Sequence, residues 1–190
     1  MAFITDSGGD VISFAEYTDV VQTDQRIFEE NRIVIPEESG FLSIQDFIED
    51  ILQKSTNRIL LKLKASSWWL NYNAYVNNYV SDINNLPSIN PNLIDPGNLQ
   101  GRRTNFTQLC VYHAMSESIL PLIADFDVES NDIAKIQYYD KKFMDLYNEL
   151  ISLADWFDYD NSGVVEADEK LTSYFQTRRT RRRNTIVRVR

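Results

Sequence analysis

Ile133, Ile136, Phe143, Leu146, Leu150, Leu153 and Phe157 recur every three or four residues toward the end of the chain. An apolar stripe sustained over about seven turns has to be buried by other elements packed along it, so this spacing predicts a long amphipathic helix inside a helical fold. A second stripe, Ile44, Phe47, Ile48, Ile51, Leu52, Ile59 and Leu63, follows Ser43 and Asp46 and predicts a capped helix that runs on toward Trp68 and Trp69. Phe106, Leu109, His113, Leu120 and Ile123 predict a third helix over about 104–126. Pro121 should kink or end it, because proline lacks the amide donor and clashes with the turn before it. Nearer the start, Ser13 and Glu16 form a capping-box pattern, and Phe14, Tyr17, Val21 and Phe28 predict a helix over about 13–30. The expected fold is mainly α, a helical bundle core.

The joints between these stripes are equally directive. Asparagines crowd residues 71–101, with Pro87, Pro91, Pro96 and Gly97 in the second half, which predicts a short helical piece and then a long loop over about 81–103. A loop of that length is expected to reach over a neighbour or project from an assembly. Short β pieces are expected at both ends. AFIT and VIS flank the glycine-rich DSGGD as an extended hairpin would, and NTIVRVR alternates apolar and basic residues like an edge strand. Residues 1–170 therefore read as one helical domain and residues 171–190 as an extended basic tail.

Charge is divided unevenly. The net charge is −9, yet residues 178–190 hold seven arginines and no acid. Removing those from the 19 lysines and arginines leaves 12 against 28 acids, so residues 1–177 carry −16. Such a body repels a polyanion, whereas the tail seeks acidic protein or phosphate. No apolar run approaches a membrane span, and MAFITDSGGD lacks the basic start and apolar core of a signal peptide. A soluble chain without a targeting signal is expected. The single Cys110 lies in the apolar run QLCVYHAM, which predicts a buried structural thiol and a reducing compartment.

Catalytic chemistry finds few candidates. His113, the one histidine, falls on an apolar helical face and reads as a satisfied core or interface residue. With Cys110 three residues away it cannot complete a zinc site, and neither a phosphate-binding glycine loop nor a nucleophile elbow is present. The chain reads as a non-enzyme. Its sharpest local motif is DYDNSGVVEADE at residues 158–169. Asp158, Asp160 and Ser162 occupy the first, third and fifth positions of a calcium loop, Gly163 the sharp turn, Val164 the carbonyl position and Glu169 the bidentate position. The same residues also suit a metal-free turn in which Asp and Ser side chains cap a tight glycine bend. Calcium is thus a candidate ligand and no cofactor is required. The tail has two readings as well, phosphate neutralisation on nucleic acid or addition of a strand to another subunit's sheet.

The segments FLSIQDFIEDILQKSTNRILLKLKASSWW, FTQLCVYHAMSESILPLIADF, YYDKKFMDLYNELI and WFDYDNSGVVEADEK cover most of residues 41–170. Their order of helix, long loop, helix ending near a proline, long helix, Asp-rich turn and extended tail resembles the head-tail connector, or neck adaptor, proteins of tailed bacteriophages. The resemblance implies a structural protein of the virion neck, assembled in the host cytoplasm as a homo-oligomeric, usually dodecameric ring. Such a ring docks beneath the portal protein, meets a head-closure or tail-completion protein below, and surrounds the channel through which DNA is ejected, without sequence-specific binding or membrane contact. Carried onto this chain, the portal-docking tail would be Arg178, Arg179, Arg181, Arg182 and Arg183 with Ile186, Val187, Arg188, Val189 and Arg190. A calcium-binding regulatory module and a nucleic-acid-binding protein acting through the tail are the alternatives.

Overall fold

A computed structural model describes residues 4–5, 11–35, 40–66, 102–124, 131–153, 155–158 and 165. Strand β1 (Ile4–Thr5) lies antiparallel to β2 (Val11–Ser13), with Ile4 opposite Ser13 and Thr5 opposite Val11. Five α-helices follow among the described residues: α1 (Tyr17–Thr23), α2 (Ile44–Lys64), α3 (Arg103–Ala114) and, beyond a π-turn, the short α4 (Leu120–Ile123) and then α5 (Asp132–Leu153), the longest. A 3-10 helix, Gln25–Asn31, fills the space after α1. The described residues thus form a mainly helical bundle.

The central member is α3. Phe106, Thr107, Leu109, Cys110, Val111 and Ala114 are all buried, so its apolar surface has no single side, as expected of a helix enclosed by its neighbours. Helices α1, α2 and α5 pack around it. Contacts fix their directions. Cys110 meets Leu52 and Thr56, while His113 and Glu117, further along, share a cleft with Arg58 and Lys62, so α3 runs in the same sense as α2. Helix α5 runs back: its Tyr139 and Phe143 meet Tyr112 and His113, and Trp156 beyond its end meets Phe106. Two helices of like direction need a long connection, and residues 67–101, which join α2 to α3 and hold most of the expected long loop, lie outside the described residues.

Helix α2 follows its apolar stripe closely. Phe47, Ile48, Ile51, Leu52, Ile59 and Leu63 are buried, and Ser43 Oγ accepts from the Asp46 amide at 3.1 Å as an N-cap. Gly40, at φ 73°, supplies the left-handed turn shortly before this helix, a conformation that costs a β-carbon residue dearly. The stripe skips Ser55 and Thr56, which are nevertheless buried. Thr56 Oγ1 accepts from the Phe14 amide at 3.1 Å, and Thr107 Oγ1 donates to the Phe14 carbonyl at 2.8 Å. Both polar groups of one backbone residue leaving the hairpin are therefore satisfied by side chains of two different helices, which removes the penalty of burying them.

Three expected elements differ. The first helix starts at Tyr17 with Glu16 as its cap, paired reciprocally with Asp19, and gives way after Asp24 to the 3-10 helix. Ser13 belongs to β2, where its Oγ donates to the Ala15 carbonyl at 2.7 Å, a local turn that competes with capping. The buried apolar side chains here are Phe14, Ala15, Val20 and Ile27, with Tyr17 and Phe28 only partly buried against them. The third helix contains a π-turn, Met115–Ile119, closed by the Leu120 amide on the Met115 carbonyl. It absorbs the missing donor and the ring clash of Pro121, and the helix ends at Ala124. In α5 the buried stripe is Tyr139, Phe143, Tyr147 and Leu150, with Ile133 and Leu153 substantially exposed. Phe157 is buried but lies past the helix end.

Candidate functional site

The residues just after α5 are anchored to the bundle. Trp156 is fully buried, its Nε1 donates to the Leu150 carbonyl at 3.0 Å, and its ring meets Phe106 edge-on with centroids 5.0 Å apart. The indole thereby caps a carbonyl of the last helical turns while filling the space beside α3. Phe157 packs next to it at 5.7 Å. On the outside, the Arg102 guanidinium grips the Asp155 carboxylate through Nη2 to Oδ2 at 2.8 Å and Nε to Oδ1 at 3.3 Å. This hydrogen bond and the carboxylate charge raise the Arg102 pKa further, so the guanidinium stays charged. Arg102, just before α3, and Asp155, just after α5, thus lie at the same end of the bundle.

Asp158, the first position of the calcium-like loop, is fully buried beside this clamp, and Val165 is half-buried. Asp160, Ser162, Val164 and Glu169 lie outside the described residues, as do Arg178, Arg179, Arg181, Arg182, Arg183, Ile186, Val187, Arg188, Val189 and Arg190. Among the described residues no group of three or more His, Cys, Asp or Glu side chains could hold a metal ion. No described helix is long and apolar enough to cross a membrane.

A second feature lies on the flank where α2, α3 and α5 meet, an open cleft of about 760 Å³. Lys54, Arg58 and Lys62 come from α2, His113 from α3, Glu117 and Ser118 from the π-turn, and Asp140, Phe143 and Met144 from α5. In an unbroken α-helix Ser118 would be rotated about 140° from His113; the wider π-turn brings both to one cleft. Lys62 spans its edge, with Nζ 4.6 Å from the Phe143 centroid, 4.9 Å from that of Tyr147 and 3.1 Å from Met144 Sδ. Tyr147 Oη returns a bond to the Lys62 carbonyl at 3.0 Å.

His113 differs from the satisfied core residue expected of it. Its ring stands edge-on to Phe143 at 5.0 Å, yet its buried Nδ1 has no hydrogen-bond partner among the described residues. Burial pushes its pKa below the ordinary value, Glu117 and Asp140 raise it, and Lys62 and Arg58 lower it. Cys110 points the other way, into the core. Its thiol donates toward the Leu52 carbonyl and touches Thr56 Oγ1, each at 3.4 Å, and burial pushes its pKa up to about 12. Such a thiol is no nucleophile at neutral pH.

Sequence reasoning missed the Arg102–Asp155 pair and the cleft. A pair 53 residues apart carries no local signature. Pro121, however, does signal a π-turn, because it removes the amide that the preceding turn needs. Comparison of the chain with family models, with curated proteins and with solved structures finds no match.

Proposed function

We propose that this chain is a non-catalytic structural adaptor that forms a homo-oligomeric, dodecameric ring in the neck of a tailed phage. It joins the portal protein to a head-closure or tail-completion protein and surrounds the DNA channel. The observation that carries this reading is the anchoring of the residues just after α5, with Trp156 clamped on Phe106 and Asp155 held by Arg102. A tail that docks on a neighbouring ring binds better from a fixed origin, because less freedom is lost on docking and its effective concentration at the receptor is higher.

In this reading the turn beginning at Asp158 is an elbow, and residues 171–190 form an extended arm. Arg178, Arg179, Arg181, Arg182 and Arg183 pair with acidic groups of the portal, while Ile186, Val187 and Val189 supply the contacts of a strand added to its sheet. The connection 67–101 between like-directed helices reaches a neighbour, and the −16 of residues 1–177 keeps passing DNA from adhering. Calcium is not required by this arrangement.

Electron microscopy of the assembled neck tests the proposal. The expected result is a ring of this chain beneath the portal with residues 178–190 seated on it. A chain that remains monomeric beside a portal ring and never binds it would overturn the reading.

A further inference from the structure

We propose that α2 carries both halves of a head-to-tail contact between copies of this chain: its acidic start on one copy seats in the α2–α3–α5 cleft of the next. The inference rests on the ring reading above and names the surface through which the ring closes.

Charge along α2 is segregated. Its first turns hold Asp46, Glu49 and Asp50 and no base, and the remainder holds Lys54, Arg58, Lys62 and Lys64 and no acid. The helix dipole favours this polarity only within the first and last turns, so it does not account for Lys54 or Arg58 in the interior of the helix. Asp50 and Lys54 already pair with each other at 2.6 Å. Arg58 is exposed and forms no hydrogen bond or ion pair among the described residues. It is the charge on the α2 wall of the cleft that awaits an acid. Glu117 and Asp140 belong to the other walls and direct an acidic guest toward α2.

Apolar surface follows the same division. Leu42, just ahead of the acidic turns, is 98% exposed, and the cleft is edged by Leu61 at 53% and Met144 at 39%. One molecule cannot bring these together, since Ile44, two residues after Leu42, stands about 25 Å from Leu61 along a helix rising about 1.5 Å per residue. A second copy can. Because the two patches differ, the contact is heterologous, and repetition closes a ring or extends a filament. The acid-on-base pairing sets its register, while burial of Leu42 against Leu61 and Met144 supplies apolar association.

The test is charge exchange in the full chain, read by analytical ultracentrifugation at about 0.02 M and about 0.5 M salt. Lys54→Glu with Arg58→Glu, and separately Asp46→Lys with Glu49→Lys, should each shift assembly at low salt to roughly tenfold higher protein concentration or more. All four changes in one chain restore both complementary faces and should recover assembly, and circular dichroism melts report that each variant is folded. Leu42→Ser, which lies outside the helix and its core, should weaken assembly at both salt concentrations. Rings that form equally well with either pole reversed overturn the contact and leave the adaptor reading standing, as does a native chain that stays monomeric alone yet binds the portal. Recovery by charge exchange without any portal binding supports the contact and removes the adaptor reading instead.

Discussion

Asp155 receives a forked hydrogen bond from Arg102, 2.8 Å from Nη2 and 3.3 Å from Nε, so the residue before α3 holds the residue that follows α5. With side chains 31% and 24% exposed, the pair is partly screened, and breaking it should cost only about 1 kcal/mol of global stability. Its larger effect is local. Asp155→Asn should leave the melting temperature nearly unchanged and accelerate proteolytic cleavage just after α5, measured by limited proteolysis with mass-spectrometric mapping. Equal cleavage rates in both proteins would count against a held elbow.

Trp156 fixes the elbow from inside. Trp156→Ala opens a cavity against Phe106 and leaves the Leu150 carbonyl without the indole donor, a loss of about 3–5 kcal/mol in urea unfolding. Trp156→Phe keeps the apolar contact and should recover much of it, the remainder reporting the hydrogen bond.

Acid should weaken the fold through His113. Its folded pKa lies below the ordinary 6.5, so the unfolded chain binds the proton first, and stability falls as pH drops below 6.5 toward the folded value. His113→Gln should flatten this part of the stability-against-pH curve while leaving the carboxylate-driven loss at lower pH in place.

Alkali acts through Cys110. Its pKa rises from 9.0 to about 12 on burial, so the unfolded chain releases the proton first and stability declines as pH climbs above 9.0. Cys110→Ser should make that decline shallower. Tyr139, also raised to about 12 by burial, contributes the slope that persists at higher pH.

Chelation should change little. Because Trp156 and the Arg102–Asp155 pair anchor the residues just after α5 without a metal, excess EDTA or millimolar-range calcium is expected to leave the melting temperature and the proteolysis pattern unaltered. A rise in melting temperature with added calcium would instead assign residues 158–169 to metal binding.

Periodicity sufficed for α2, whose stripe from Phe47 to Leu63 is also its buried face, because an apolar row at helical spacing has only one way to leave water. It was less informative for α5, where Tyr139 and Tyr147 take core positions that the expected stripe left out; a tyrosine buries its ring and keeps its hydroxyl bonded, as Tyr147 does on the Lys62 carbonyl. Ser13 misled for a related reason, its hydroxyl being equally able to cap a helix or close a turn.

By itself the sequence determined that the chain is helical, that α2 begins at a Ser43 cap, that Pro121 must interrupt the third helix, and that basic charge collects in residues 178–190. Only tertiary structure decided that α3 is the enclosed helix, that Phe14 is tied to both Thr56 and Thr107, that Arg102 meets Asp155, and that Arg58, His113 and Ser118 share one cleft. Local patterns record which face of an element avoids water. Which element that face meets depends on helix direction and crossing, and those are set by the packing of side chains far apart in the chain.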